Sequence, residues 1–516
     1  ILGDVERSRS SKVNYVFIIG LNDGYFPSVN RAEGFFNDND RLLLEKDGIE
    51  LAKGTIENLY EENFNIYKAF TIAEKKLFLS YSSSDNEAKS LRPSMLIIKL
   101  KKIYPKLIEN SDVTDEVIED NNIDNFNNCS SIDKDIIDKL YGNNLVTSVS
   151  RLEKYRSCAF SYYLQYGLKL KPKEELKVQS INTGSFMHEV IDSFFEYVNS
   201  ENINLPFLLE DNFNIEKIVN IIVDEKLSLS KNIIFTVTKK YKILVTRLKR
   251  IISKALKYII EGLVHSEFNM LGTEVEFDKN GDFKPIIIKL DNGKTVEIRG
   301  KIDRIDTANS DDGRYVRIID YKSSAKNIDL NEVYAGLQIQ LLTYIDAVCK
   351  KEDFIPAGVL YFSLIEQMIK SDTKLTEEQI ENEIRKNFKM KGLIVADVKV
   401  IKMHDNTLES GSSKIIPAAI TASGAVNEKW TSGVKKDEFK VLQDYIYKTI
   451  TQISKEIFEG KIDVKPYNKK GKTPCQYCLY KSICGFNPNN MNNCYNYIDT
   501  KSKDDILNKM RQQEQS

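Results

Sequence analysis

Residues 300–324 read GKIDRIDTANSDDGRYVRIIDYKSS, and the folding of this stretch decides how the rest is understood. Lys301, Ile302 and Asp303 are expected to end one strand, and a polar run with Asp311, Asp312 and Gly313 carries a turn. Residues 315–322 then read as a second strand with apolar Val316, Ile318 and Ile319. Side chains alternate faces along a strand, so Asp320 and Lys322 point the same way. Asp303 and Asp320 can therefore converge with one ammonium group. That trio suits phosphodiester hydrolysis: carboxylates hold Mg²⁺, the cation polarises the phosphate and acidifies a bound water, and a lysine orients the nucleophile or neutralises charge. The blander alternative is an ordinary hairpin with solvated charges.

Flanking segments favour the first reading. Residues 183–198, TGSFMHEVIDSFFEYV, are helix-periodic, with Met187, Val190, Ile191, Phe194 and Phe195 on one face. His188, one of only three histidines in the chain, lies beside that face. After the hairpin, residues 331–348 form a second helical pattern that sets Gln340 and Tyr344 four apart, on one side.

GSFMHEVID, GKIDRID, IIDYKSS and QIQLLTY, in this order and spacing, resemble the RecB-type branch of the PD-(D/E)xK nucleases. The resemblance implies an α/β nuclease fold. It makes His188, Asp303 and Asp320 metal ligands for Mg²⁺, joined by the backbone carbonyl of Tyr321. Lys322 becomes the catalytic lysine, and Gln340 and Tyr344, matching the family's Q-x-x-x-Y, position the lysine or DNA.

At 516 residues and 59.3 kDa the chain is too long for one core, and two or three domains are expected. A net charge of −1 neither demands nor excludes nucleic acid, because local patches matter more than totals. With no apolar run of about 20 residues and no signal peptide, a soluble, cytoplasmic protein is expected. The chain opens on Ile1 in mid-pattern, as a fragment of a longer protein would.

Residues 1–106 form a first unit. Residues 13–21, VNYVFIIGL, read as a buried strand, residues 54–71 as a helix and residues 76–81 as another strand, which suggests α/β architecture. FIIGLNDGYFP and KAFTIAEKKLFLSYSSSD resemble the last segments of UvrD-type superfamily 1 helicases. Active relatives carry an arginine after the threonine of the second segment, whereas Ile72 follows Thr71 here. No G-x-x-x-x-G-K-[ST] loop occurs, and the GKT tripeptides at 293–295 and 471–473 lack its upstream glycine. This chain alone is not expected to hydrolyse ATP. From 109 to 138 there are ten acidic residues against Lys134 alone, the composition of a solvated linker, placed at 107–144.

The second unit spans 145–490, followed by a tail at 491–516. Ser150 and Glu153 read as a capping box for a helix that carries Cys158 and continues to about Tyr166. A mostly helical region, 206–263, contains Lys239, Lys240, Lys242, Arg247, Lys249, Arg250, Lys254 and Lys257. These could line a DNA path, although a solvated helical face is the simpler account. Residues 272–299 and 354–364 supply further strands of the central sheet. Residues 391–434 read as irregular, and 437–460 as a long helix.

Cys475, Cys478 and Cys484 are spaced C-x₂-C-x₅-C, one ligand short of a tetrahedral site. Cys158, Cys129, Cys349 and Cys494 are candidates for the fourth, and spacing alone leaves zinc and an iron–sulfur cluster both open. YRSCAFSYYLQYGLKL and TPCQYCLYKSICGF, with MKGLIVAD, GSSKIIPAAI and VKPY, resemble the AddB family, one of the two components of AddAB-type helicase–nucleases. The resemblance covers nearly the whole chain as the C-terminal part of such a protein, with a remnant helicase domain before the nuclease. It implies a [4Fe–4S] cluster on Cys158, Cys475, Cys478 and Cys484. It also implies a heterodimer with an AddA helicase–nuclease partner. Such a complex unwinds double-stranded DNA ends with ATP and resects them for recombinational repair, with the AddB component cutting the 5′-ended strand. A catalytically silent DNA-binding scaffold is the alternative from another class, against which the complete acidic and lysine motifs argue. A free-standing Cas4-like nuclease is a third, disfavoured by the helicase-like first unit.

Overall fold

The computed structural model describes residues 3, 5, 12–28, 37–49, 53–84, 90–108, 131–171, 178, 180–210, 213–366, 369, 375–488 and 494–515. They form two compact units, Ile1–Phe126 with Phe486–Cys494, and Asn127–Gly485 with Tyr495–Ser516.

In the first unit, strand β1 (Val13–Ile18) pairs in parallel with β2 (Ala73–Leu79). Parallel pairing requires a crossover, which contains α1 (Asp38–Lys46) and the longer α2 (Thr55–Thr71). Helix α3 (Met95–Ile103) follows, and Ile18, Leu21, Ala69 and Ile97 make a small core. The expected buried strand is buried on one face only. Tyr15 and Phe17 are exposed, Phe17 stacking on Phe78 at 4.5 Å.

The second unit is built on a six-stranded mixed sheet. Its order is the short strand Gly433–Val434, then β10 (Lys391–Val395), β9 (Ile355–Ser363), β8 (Gly313–Lys322), β7 (Gly300–Ser310) and β4 (Asn269–Phe277). Strands β3 (Asn144–Thr147), β6 (Thr295–Ile298) and β5 (Ile286–Lys289) form a smaller sheet. The hairpin is longer than expected. Strand β7 does not end at Asp303 but continues to Ser310, which pairs with Gly313, leaving Asp311 and Asp312 as the turn. Gly313, at φ +133°, takes a backbone conformation that side chains resist.

Each face of this sheet carries its own core. On one, α5 (Val149–Ser157), α11 (Gln340–Glu352) and the helix Lys436–Phe458 pack on Ile302, Val316 and Ile318. On the other, α7 (Ser180–Ser200), α8 (Ile215–Ser228) and α9 (Lys239–Val264) cover Ile319, Tyr321, Leu360 and Phe362. Strands buried on both faces read as continuous apolar runs, as VLYF in β9 does.

Two predicted helices are broken. The 331–348 pattern divides into α10 (Leu330–Tyr334) and α11, with Gly336 at φ +76° between them. The helix expected through Cys158 stops there: α5 ends at Ser157, Cys158 is extended (φ −171°, ψ 111°), and α6 (Ala159–Tyr162) restarts the chain. Helix periodicity survives an interruption of one or a few residues, so neither break is visible as a change of pattern.

Domain edges also differ. Within the proposed linker, α4 (Lys134–Tyr141) buries Ile137 in the core of the second unit, while 109–130 lies outside the described residues. Within the proposed tail, the helix Lys503–Gln515 buries Ile506, Leu507 and Met510 in the same core. The stretch 391–434 is partly regular, containing β10 and the helix Val398–His404. Among the described residues, no helix is long and apolar enough to cross a membrane.

A charged cluster lies inside the second unit, on the side of the hairpin opposite Asp303. Arg304 Nε donates to Asp306 Oδ1 at 2.6 Å, and Arg317 Nε to Asp306 Oδ2 at 2.8 Å. His404 Nδ1 is 3.1 Å from Arg317 Nη1. Burial and the Arg317 charge push His404 down to about 3, so its ring is neutral and can accept from the guanidinium.

Candidate active site

Strands β7 and β8 run antiparallel with Arg304 opposite Ile319, which sets Asp303 across from Asp320. Pairing across the ladder brings the two carboxylates to one face from positions 17 apart in sequence. Asp303 Oδ2 accepts from the Tyr321 backbone N–H at 2.7 Å, so this aspartate is oriented by the strand that carries its partner. Asp320 Oδ2 lies 2.5 Å from Lys322 Nζ.

Helix α7 delivers His188 to the same edge. Its apolar stripe, including Met187, Val190, Ile191, Phe194 and Phe195, is buried in the core, which leaves His188 at the margin. Its Nδ1 is 3.4 Å from Asp303 Oδ2, and its ring meets the Tyr321 ring edge-on at 5.8 Å between centroids. Burial disfavours the imidazolium, but Asp303, Asp320 and Glu274 outweigh it and hold the pKa above its ordinary value.

Glu274 is a member of this site that sequence reasoning missed. One ligand atom from each of His188, Glu274 and Asp303 falls within 4.8 Å of the others. Its neighbours Thr273 and Val275 pair with Arg304 and Ile302, so Glu274 sits across from Asp303. A register shift between Met270 and Gly272 precedes it, and Glu274 itself adopts φ +51°, rare outside glycine. It is ion-paired with Lys301. Burial raises its pKa, Lys301 opposes that rise, and Asp303 adds to it. The alternation in TEVEF was the available signal, but it cannot say which position a bulge will aim at the site.

Asp320 is pushed up to about 6, by burial first and by the Asp303 charge second, with Lys322 pulling the other way. Two carboxylates that repel one another while also facing an imidazole form a ready cation site. An oxygen-rich donor set with one imidazole fits a hard divalent ion such as Mg²⁺ or Mn²⁺.

Gln340 and Tyr344 occupy the first turns of α11. Tyr344 is buried, stacks on Phe277 at 5.5 Å, and its hydroxyl interacts with the Gln340 side chain and the Lys301 backbone. A β-carbon added at Gly300 would overlap that hydroxyl, so the glycine admits the tyrosine. These contacts fasten α11 to β7 beside Asp303; Tyr344 lies too deep to meet DNA.

A second cluster gathers cysteines from distant positions. Burial raises the pKa of Cys158, and Cys478 and Cys484 raise it further. Cys475 is pushed up to about 11 by burial and then by Cys158, Cys478 and Cys484. The four thiols therefore share one neighbourhood, Cys158 at the α5–α6 break and the others between Pro474 and Gly485. Such a quartet of soft ligands fits zinc or an iron–sulfur cluster. Of the other cysteines, Cys349 packs against the sheet core, Cys494 is exposed, and Cys129 lies outside the described residues.

Several cations of α9 are already neutralised. Lys249 pairs with Asp224 at 2.7 Å, and Arg250 and Lys254 with Glu366 at 2.5 and 2.7 Å. These pairs favour the solvated-face account of those three residues over a DNA path.

The model of the PD-(D/E)XK nuclease superfamily matches residues 146–485. The chain is 36% identical over 99% of its length to a Clostridium novyi protein named as the B component of an ATP-dependent helicase/deoxyribonuclease, of which it covers 50%. Proteins of the same name from Acetivibrio thermocellus and Clostridium acetobutylicum are 34% and 36% identical over 100% and 98% of the chain. It covers 50% and 49% of them, and so spans about half the length of the curated relatives it matches.

Proposed function

Because the chain belongs to the PD-(D/E)XK nuclease superfamily, we propose that its second unit hydrolyses DNA phosphodiesters as the nuclease module of an AddB-type helicase–nuclease component. The observation that carries this reading is the convergence of His188, Glu274 and Asp303, with Asp320 across the ladder from Asp303 and Lys322 beside Asp320. In this reading His188, Asp303, Asp320 and Glu274 would hold Mg²⁺, with the carbonyl of Tyr321 as a further ligand. The bound cation would polarise the scissile phosphate and acidify a water. Lys322 orients the attacking water or offsets charge on the phosphate, and Asp320 keeps that ammonium in place. Gln340 and Tyr344 hold α11 against β7 and so set the wall behind the carboxylates.

The relatives are named only as B components of an ATP-dependent helicase/deoxyribonuclease, and the role we propose within such an assembly goes further. It is resection of double-stranded DNA ends for recombinational repair, with cleavage of the 5′-ended strand and an AddA-type protein as partner and ATP-driven motor. The first unit is then a helicase remnant without ATPase activity of its own, as the missing phosphate-binding loop and Ile72 suggest. Cys158, Cys475, Cys478 and Cys484 would hold a [4Fe–4S] cluster that joins the two ends of the nuclease sequence. The deciding experiment is Mg²⁺-dependent cleavage of end-labelled duplex DNA by the full-length protein with its partner, wild type against Asp320→Ala. Lost cleavage by a folded variant is expected. Undiminished cleavage of the 5′-ended strand would overturn the assignment.

A further inference from the structure

Glu153 was expected to cap its own helix, and it does something else. The N-cap of α5 is Ser148, whose side chain accepts from Arg151 N. The Glu153 carboxylate instead reaches across the fold to another helix. Its Oε1 accepts from the backbone N–H groups of Ile339 at 2.7 Å and Gln340 at 2.9 Å. These lie at the start of α11, whose own N-cap residue, Ile339, has no side chain able to cap. Exposed N–H groups at a helix start carry partial positive charge, so a carboxylate is a suitable partner.

What surrounds this carboxylate ties it to the proposed site. Lys326 and Lys322 act on it electrostatically and oppose the effect of burial, which pushes its pKa up to about 7. Both ammonium groups lie over the Tyr361 ring, Lys326 at 5.1 Å and Lys322 at 5.9 Å from its centroid. Tyr361 in turn feels the charges of both Asp320 and Glu153. The two lysines thus share their surroundings with one acid from the hairpin and one from α5. Gln340, capped by Glu153, interacts with the Tyr344 hydroxyl, which borders the Lys301 backbone.

We propose that Glu153 is a positioning residue of the nuclease site, setting the start of α11 and holding Lys322 and Lys326 beside Asp320. The inference rests on the nuclease reading given above. A neutral cap could satisfy the two N–H groups, but only an anion can also restrain two ammonium groups.

Glu153→Gln separates these roles, because the amide oxygen still accepts the N–H bonds while the charge is gone. The test uses the full-length protein with its partner and a short labelled DNA. Cleavage kinetics are measured alongside Mn²⁺ titration calorimetry and thermal melting. In Glu153→Gln, kcat is expected to fall at least tenfold, with KM for DNA and Mn²⁺ affinity within about threefold of wild type. Glu153→Ala loses melting temperature as well. A Glu153→Gln enzyme with wild-type kcat would overturn the inference. So would parallel losses in kcat, Mn²⁺ affinity and melting, which would mark a merely structural residue. Cleavage that persists in Asp320→Ala would instead overturn the nuclease reading itself, so the two failures are distinguishable.

Discussion

Asp303 accepts a hydrogen bond from the backbone N–H of Tyr321 at 2.7 Å, on the same Oδ2 that faces His188 Nδ1 at 3.4 Å. One carboxylate oxygen thus joins the hairpin's first strand, its second strand and helix α7. A side chain held from three directions has few rotamers left, and the proposed cation site around it is largely pre-organised.

Asp320 should cost the cation-free protein stability. Its folded value is about 6, against about 4 when unfolded. Between these values the folded chain binds a proton that the unfolded chain lacks, so stability falls as pH rises from 4 to 6 and the full cost applies above 6. Asp320→Asn should therefore melt a few degrees higher than wild type at pH 7.5 in chelator, an effect of about 2–3 kcal/mol at most. The difference should shrink to under about 1 kcal/mol near pH 4.5 and vanish below about pH 3.5. With Mn²⁺ added at pH 7.5, wild type should gain stability and the variant should not. Equal melting of the two proteins in chelator at both pH values would count against the raised Asp320.

Lys322→Ala should affect chemistry more than cation binding, since it removes none of the proposed ligands. Turnover should fall by roughly 10²–10⁴-fold, the range of a lost catalytic side chain. Loss of its ammonium, 2.5 Å from Asp320, raises the carboxyl further. Mn²⁺ affinity, measured by calorimetry, should accordingly match wild type at pH 8.5 and drop at pH 6.5. Losses of affinity and turnover that run in parallel at pH 8.5 would make Lys322 a structural residue.

Gly300→Ala should destabilise the second unit by about 1–3 kcal/mol, the cost of overpacking a filled core. The added methyl would overlap the Tyr344 hydroxyl and ring edge, and the ring is held by Phe277. Tyr344→Phe should relieve part of that cost, giving a coupling energy of opposite sign in a double-mutant cycle. Urea unfolding of the four proteins measures it, and strict additivity would show that the two residues do not meet.

Asp306→Asn would leave the Arg304 and Arg317 guanidinium groups buried without their shared counter-charge. Breaking a buried pair by removing one partner costs about 3–5 kcal/mol. Denaturant melts should show such a loss, and a change below about 1 kcal/mol would mean that water reaches the cluster.

Cys158→Ala should reduce bound iron and lower the melting temperature of anaerobically purified protein, whereas Cys349→Ala and Cys494→Ala should retain iron. Structural metal sites in small zinc domains contribute on the order of 10 kcal/mol, comparable to a whole domain's stability of roughly 5–15 kcal/mol. Iron retained in Cys158→Ala but lost in Cys494→Ala would mean that the fourth ligand was misassigned, and zinc in place of iron would remove the cluster.

Composition and motif order by themselves determined the α/β class, the hairpin with Asp303, Asp320 and Lys322, the helix bearing His188, and the C-x₂-C-x₅-C group. Each of these is short-range: it depends on a period of 2.0 or 3.6 within one element, or on two strands joined by a single turn. What only tertiary structure decided involves partners far apart in sequence. Glu274 enters the site because a bulge and a left-handed residue re-aim one position of β4 across from Asp303. Glu153 leaves its own helix to cap one that begins 187 residues later. Arg304, Asp306, Arg317 and His404 look like scattered polar residues until strand register and burial close them into one cluster. Side-chain reach and strand register are set when elements pack, and no periodicity along the chain encodes which distant backbone group a carboxylate will meet.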